Sequence, residues 1–278
     1  MNKDVLVIIR HKLGRKRLLK RSFDSVSNQT FINKSVVIFC MDFKKEESSK
    51  HDYLSIIDSS VNFIDSNQDL AEYVKDSSAE MVCFLDDDDS WAPEYLSRLL
   101  SMLIKTNSSY VSVKGISCHT NKVNEICEGN RIIINDTQPW NHYLNVGPLD
   151  FDAIHYANSV PLSSCVFFKN SISDLLLSHE VNSPSFSWPF LIEFLSKNDI
   201  WILPEALSFY HFREKNDNEL GNYSLVDADE FSIKLKVKLN NLMRRNGNTD
   251  FLTLLLNTIL NKTNFHRIAS VDRRVNGE

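Results

Sequence analysis

Short continuous apolar runs alternate along the first third of the chain with segments whose apolar residues recur at helical spacing. Val5–Ile9 is a continuous run that predicts a strand buried on both faces, and Leu18–Val26 then has the spacing of a helix. Ser35–Met41 predicts a second strand, Tyr53–Ile57 a short helix, Val61–Ile64 a third strand and Leu70–Val74 a further helix. Glu80–Leu85 is a fourth strand that runs directly into four aspartates. Such alternation predicts an α/β fold with a mostly parallel sheet and helices on both of its faces.

Beyond the aspartates, Pro93–Leu103 carries a helical apolar stripe, with proline near the first turn where its missing N–H costs little. Tyr110–Ile116 and Arg131–Ile134 have strand character, whereas Asn135–Ala157 is polar, lacks periodicity and is expected to form a loop over a site. Val160–Lys169 contains the strand-like run Cys165–Phe168, Phe190–Leu195 predicts a helix, and Trp201–Leu203 and Ala206–Phe212 predict two last strands. In the tail, Ser232–Arg245 first alternates with a period of two, so strand and helix both fit, and Phe251–Leu260 is a helix with a wide apolar stripe. No internal repeat or low-complexity block interrupts the chain.

With 278 residues, 42% hydrophobic and 24% charged, the chain can bury a substantial core and is not a disordered or fibrous sequence. Its apolar runs fall far short of the roughly 18 residues of a membrane span. The run Val5–Ile9, ended by Arg10, is too short for the core of a secretory signal, so a cytoplasmic protein is expected. Five scattered cysteines, with no C-x-x-C pair, argue against zinc and against a disulfide framework. Cys40, Cys83 and Cys165 lie within apolar runs, where a reduced cysteine packs as a small hydrophobe.

The net charge of −5 is uneven: residues 233–278 hold nine Lys/Arg and three Asp/Glu, a net of +6, leaving −11 on residues 1–232. An acidic body argues against a nucleic-acid partner, while a basic tail suits anionic lipid. Glycine-rich phosphate cradles of the G-x-G-x-x-G or G-x-x-x-x-G-K type are missing.

The densest chemistry is Phe84–Pro93, in which Asp86, Asp87, Asp88 and Asp89 follow an apolar strand. Adjacent carboxylates repel, and a hard divalent cation, Mg²⁺ or Mn²⁺ bound through one or two carboxylates and a substrate's phosphates, is the expected compensation. The plainer alternative is a solvated acidic turn at a helix start, where the helix dipole favours aspartate. Open α/β sheets bind ligands beyond the carboxyl ends of their strands, which is where this run falls.

Four segments in order carry a family resemblance. Val7–Arg10 with Leu18–Thr30 has the form of an opening strand and a first helix that closes in S-hydrophobic-x-x-Q-T. Phe84–Pro93 has the form F-L-D-x-D-D-x-W-x-P, Val160–Lys169 that of an acceptor-side strand, and Ile202–Tyr210 that of I-P-E-x-L-S-x-Y. Together they resemble glycosyltransferase family 2 enzymes of the GT-A fold, over roughly residues 4–224. The resemblance implies a metal-dependent glycosyltransferase domain at 1–224, followed by a basic helical C-terminal extension at 225–278.

Residue by residue, the resemblance implies that Asp88 and Asp86 hold Mn²⁺ or Mg²⁺, with Asp86 and Asp87 also facing a nucleotide-diphosphate sugar donor. Asp42, where the usual D-D-G-S has become Met41–Lys44, falls near a base- or ribose-binding aspartate. Arg10 falls where the family places donor contacts; a surface arginine is the plainer reading. The family's Y-R-x-H is here Tyr210–Arg213 with the basic residues exchanged, so His211 and Arg213 are candidates for the diphosphate, and a structural role for His211 is the alternative.

Two departures stand out. An inverting enzyme of the family carries its general base in an E-D-W segment, which falls here on Phe186–Ser187–Trp188, and serine cannot take up a proton at neutral pH. Glu193 on the same helix or Glu180 in the preceding loop is left as a candidate base; otherwise the reaction retains configuration or the domain binds without turnover. Gln68–Tyr73 likewise lacks the A-R-N-x-G pattern expected to meet the donor.

The expected function is therefore sugar transfer from a nucleotide-diphosphate donor to a glycan or lipid-linked oligosaccharide in surface polysaccharide biosynthesis. The tail either packs on the body or touches the inner face of the membrane. A catalytically silent sugar-nucleotide-binding module is one rival. A metal-dependent nucleotidyltransferase is the other, disfavoured by the absence of a basic, glycine-rich N-terminal loop.

Overall fold

The computed structural model describes residues 4–41, 57, 61–128, 131–150, 154, 158–183 and 186–213, with the side chains of 127 and 128 excepted. These residues belong to the first of two units into which the chain divides, Met1–Phe231, and not to the second, Ser232–Glu278. Asp42, most of the expected helix Tyr53–Ile57, and the tail with its 224/225 boundary lie outside the described residues.

The strands are β1 (Val5–His11), β2 (Lys34–Cys40), β3 (Asn62–Ile64), β4 (Met81–Asp86), β5 (Ser90–Trp91), β6 (Val113–Glu128), β7 (Arg131–Pro139), β8 (Gly147–Pro148), β9 (Cys165–Phe168) and β10 (Asp199–Arg213). The helices are α1 (Lys16–Ser27), α2 (Asn67–Asp76), α3 (Tyr95–Ser109), α4 (Lys169–Ser178) and α5 (Ser187–Leu195). One sheet holds all ten strands in the order β3-β2-β1-β4-β9-β6-β10-β5, with β7 on β6 and β8 on β10. Strands β3, β2, β1, β4, β6 and β10 point one way; β9, β5, β7 and β8 run against them.

The chain leaves β1 for β2 and β3 on one side and returns to β4 on the other. The C-terminal ends of β1 and β4 therefore flank a topological switch point, where such sheets open a crevice. All seven residues of β1 are buried, as its unbroken apolar run requires of a strand covered on both faces. On α1, Leu18, Leu19, Ser22 and Val26 form the buried stripe, and on α3, Tyr95, Leu96, Leu99, Leu100, Leu103 and Thr106 do. Each fully buried leucine in these stripes contributes about 1.5–3 kcal/mol. Helix α2 starts at Ser66, whose hydroxyl accepts from the Asp69 amide at 3.0 Å.

The Gln-Thr pair that ends the first helix motif has a mechanical role. The Gln29 amide donates to the Ala92 carbonyl at 2.7 Å and its oxygen accepts from the Leu96 amide at 2.9 Å, while the Thr30 amide bonds the Pro93 carbonyl at 2.9 Å. The end of α1 is thereby fastened to the start of α3, just beyond the aspartates. Where strands meet over β6, Gly115 leaves no room for a side chain, since a Cβ there would lie 3.0 Å from Phe167 Cδ1 and 3.1 Å from Ile200 Cγ1.

Several boundaries differ from the pattern reading, for physical reasons. Tyr110 caps the end of α3 and stacks on Trp201, so β6 begins only at Val113; it then runs on to Glu128 through polar residues that pair with β7 and β10. Part of the expected loop Asn135–Ala157 is strand, since β7 extends to Pro139 and β8 pairs with β10. The two final strands are one, β10; its register on β6 shifts between Leu203 and Ala206, across Pro204, which has no amide proton for a ladder. Helix α3 begins at Tyr95, two residues after Pro93, and runs on to Ser109, and a 3₁₀ turn, Leu162–Ser164, leads into β9. Cys40, Cys83, Cys118 and Cys165 are buried, and burial pushes the Cys165 thiol up to about 12. No helix among the described residues is long and apolar enough to cross a membrane.

Candidate active site

Residues Asp86–Asp89 leave the end of β4 as a tight turn, closed by the Asp89 amide on the Asp86 carbonyl at 3.0 Å. Ser22 of α1 lies beneath it, its hydroxyl 2.7 Å from the carbonyls of both Asp87 and Asp89. A larger residue in that buried place would push the turn off the helix. Ser163, in the 3₁₀ turn, accepts from the Asp86 amide at 3.2 Å, and its own carbonyl accepts from the Trp91 indole at 2.6 Å.

The four carboxylates go four different ways. Asp86 keeps 35% of its side chain exposed and faces Arg10, Nε to Oδ1 3.3 Å. Asp87 turns inward, where its carboxylate accepts from the Lys12 amide at 2.9 Å and meets His11 Nδ1 at 2.8 Å and Arg15 at 3.3 Å. Asp88 takes Arg213 Nη2 at 2.7 Å and Arg15 at 3.5 Å. Asp89 is buried and accepts from the His211 amide at 3.3 Å.

Behind this turn, Glu125 of β6 has no exposed side-chain surface. It binds Arg213 Nη1 at 2.8 Å, His211 Nδ1 at 2.7 Å and Arg21 of α1, whose other nitrogen donates to the Asp88 carbonyl at 2.7 Å. Glu125 only accepts, so His211 carries its proton on Nδ1, and its Nε2, 2.7 Å from Ser90 Oγ, accepts from the serine.

The sequence reading assigned the compensating charge to a divalent cation. In the folded chain four guanidiniums, of Arg10, Arg15, Arg21 and Arg213, already face the acids, because β1 and β10 both end at the turn and the first half of α1 lies against it.

The environment sorts the acidities. Burial pushes the Asp89 carboxyl well above its usual range, with Asp88 and Asp86 adding to the effect, and Asp86 is also raised, by burial against the pull of Arg10. Burial alone would raise Glu125, but the His211 hydrogen bond, the charge of Arg21 and the Arg213 hydrogen bond bring it down to about 2. Burial lowers His211, with Glu125 opposing, so a neutral ring fits the Ser90 contact. Arg213 is held cationic by Asp88 and Glu125 against the cost of its burial.

A pH prediction follows from Glu125. An unfolded glutamate titrates at its ordinary 4.5 and this one, folded, at about 2, so its stabilising contribution is complete above pH 4.5 and fades as pH falls toward 2. In chemical denaturation, the stability advantage of wild type over Glu125→Gln is expected to shrink across that window. An advantage that stays flat through it refutes the assignment.

Arg10 is 4% exposed, not a surface arginine. Its Nη1 donates to Ser187 Oγ at 3.2 Å and its guanidinium carbon stands 5.2 Å from the Phe186 ring centre. The segment expected to carry a base thus sits against Arg10 and Asp86, with serine where the acid was expected. Glu193 lies roughly 9 Å farther along α5 than Ser187 and pairs with His179 at 2.8 Å. Glu180 is in the turn after α4, where its carbonyl accepts from the Ser183 amide at 2.9 Å.

Asp86, Asp88, Arg10, His211 and Arg213, all named from sequence, therefore meet in one site, as does Asp87 with its carboxylate facing inward. Arg15, Arg21 and Glu125 were not foreseen. Arg15 and Arg21 had a signal in the basic run Arg15–Arg21 beside the crevice; Glu125 had none, because the polar half of β6 lacks an apolar pattern.

No protein-family model and no curated protein matches the sequence. Solved structures do match the fold. TarS 1–349 of S. aureus in complex with UDP-GlcNAc superposes with a TM-score of 0.55 at 16% identity, covering 86% of this chain and 67% of that one. The same protein in complex with UDP gives 0.52 at 16% identity, covering 75% and 60%. The mannosyltransferase PcManGT of Pyrobaculum calidifontis, in complex with GDP-Man and Mn²⁺, gives 0.50 at 11% identity, covering 76% and 58%. The chain thus spans about three fifths to two thirds of these structures' length. Its fold is the GT-A fold of glycosyltransferases.

Proposed function

We propose that this chain transfers a sugar from a nucleotide-diphosphate donor to a glycan or lipid-linked oligosaccharide in surface polysaccharide assembly. The observation that carries the reading is the aspartate turn at the β1/β4 switch point, ringed by buried arginines, in a fold shared with enzymes solved with UDP-GlcNAc and with GDP-Man.

The donor set suits Mn²⁺ or Mg²⁺. Asp86 and Asp88 offer hard oxygens at the crevice, and such ions take one or two carboxylates plus the substrate's phosphates instead of a cage built wholly of protein. When bound, the ion neutralises charge on the leaving diphosphate. Arg15 and Arg213 lie within reach of the same charge, Asp87 fixes the turn to β1, and Asp42 remains a proposed base or ribose contact. His211, with both ring nitrogens engaged, positions Ser90 and Glu125.

On the acceptor side Phe186 and Ser187 stand where the resemblance implies an acid pair, and Ser187 accepts from Arg10. A base is supplied by Glu193 or Glu180 only if the acceptor reaches along α5, and otherwise the reaction retains configuration. The same serine supports a second reading, a silent module that binds sugar nucleotides. Residues 1–224 form the proposed catalytic domain, cytoplasmic, and the basic 225–278 its contact with the inner face of the membrane.

Calorimetric titration of nucleoside diphosphates with and without Mn²⁺, followed by a donor hydrolysis assay, tests the reading. Metal-dependent binding with turnover is expected. Binding without turnover favours the silent module, and no binding in any condition removes both.

A further inference from the structure

Asp88 is a carboxylate proposed above for the cation, yet Arg213 and Arg15 hold it, at 2.7 and 3.5 Å. Arg213 is 1% exposed and Arg15 3%, so neither guanidinium is screened by bulk water. Five carboxylates, Asp86 to Asp89 and Glu125, face four guanidiniums, leaving one negative charge among these nine groups.

Such a site resists either ligand alone. A divalent cation by itself must displace buried guanidiniums from Asp88 and leave them facing its own charge. A diphosphate by itself adds negative charge to a site whose carboxylates already outnumber its guanidiniums by one. Entering together, the cation takes Asp88 while the displaced guanidinium finds phosphate oxygens, for which its planar fork is suited.

We propose that Arg213, seconded by Arg15, is an internal counter-cation that holds Asp88 in the donor-free protein and passes to the donor diphosphate when donor and divalent cation bind as a pair. The proposal rests on the donor-site reading above and adds a property that reading does not contain: each ligand strengthens the other by the same factor. Arg213 is a positioning residue in this scheme, acting through Asp88 on the cation.

The test is calorimetry on the full chain with Mn²⁺ alone, UDP or GDP alone, and each nucleotide in saturating Mn²⁺. For wild type, Mn²⁺ is expected to tighten nucleotide binding at least ~10-fold, and nucleotide to tighten Mn²⁺ equally. Arg213→Met is expected to bind Mn²⁺ alone at least ~10-fold more tightly than wild type and to lose most of the coupling. Arg213→Lys, which keeps the charge and one contact, is expected to fall between them, and it carries the test should the methionine variant fail to fold. Wild type that binds Mn²⁺ equally well with and without nucleotide overturns the proposal. So do variants whose affinity for Mn²⁺ alone matches wild type. Both of those results leave the donor site standing, whereas nucleotide that binds under no condition overturns the donor-site reading and this proposal with it.

Discussion

Asp88→Asn is expected to lower turnover of the nucleotide-sugar donor by about 10³-fold while leaving the protein folded. Asparagine keeps the shape of the side chain and an oxygen that can still accept from Arg213, so the 2.7 Å contact survives in weaker form. The turn is also held by backbone and Ser22 contacts that the substitution does not touch. What disappears is the negative charge that would hold a hard cation beside the diphosphate. The measurement is kcat/KM for donor hydrolysis or transfer beside a thermal melt on the same preparation. A melt close to wild type with activity reduced by that factor supports the assignment. Unchanged activity removes Asp88 from the metal site.

Glu125→Ala is expected to cost about 3–5 kcal/mol of stability, seen as a melting temperature lower by roughly 10 °C. The glutamate has no exposed surface and is the shared partner of Arg21, His211 and Arg213. Its removal takes from the guanidinium of Arg213, itself 1% exposed, a carboxylate partner at 2.8 Å. A large effect here says nothing about the net worth of the whole network, since replacing every charged member with well-packed apolar groups is often neutral. It measures the cost of stranding one side of it. Loss of less than about 1 kcal/mol in urea unfolding, the level of an exposed pair, would show that water reaches the cluster and screens it.

The β-α pattern of the first half was legible because strands buried on both faces must be continuously apolar, and β1, β2 and β4 are so wherever the sheet is covered. The boundaries of the second half were less so. There β6 and β10 keep polar residues such as Glu125, His211 and Arg213 inside because each has a partner on another strand or helix. A period-two search for apolar residues passes over such positions. The same limit applies to Arg10, which the chain alone left between a donor contact and the surface; in the fold Phe186, Asp86 and Ser187 enclose it.

By itself, then, the sequence determined the order of elements, the placement of four acids at the end of a buried strand, and the serine at position 187. Those are local facts, set by which residues follow which. Only the tertiary structure decided what balances the acids. Arg10, Arg15 and Arg21 come from the first β-α unit, Arg213 from the end of β10 and Glu125 from β6, and charge acts through space over a few ångströms whatever the separation along the chain. The sequence implied a site short of positive charge; the fold brings together one that is nearly neutral before any ligand arrives.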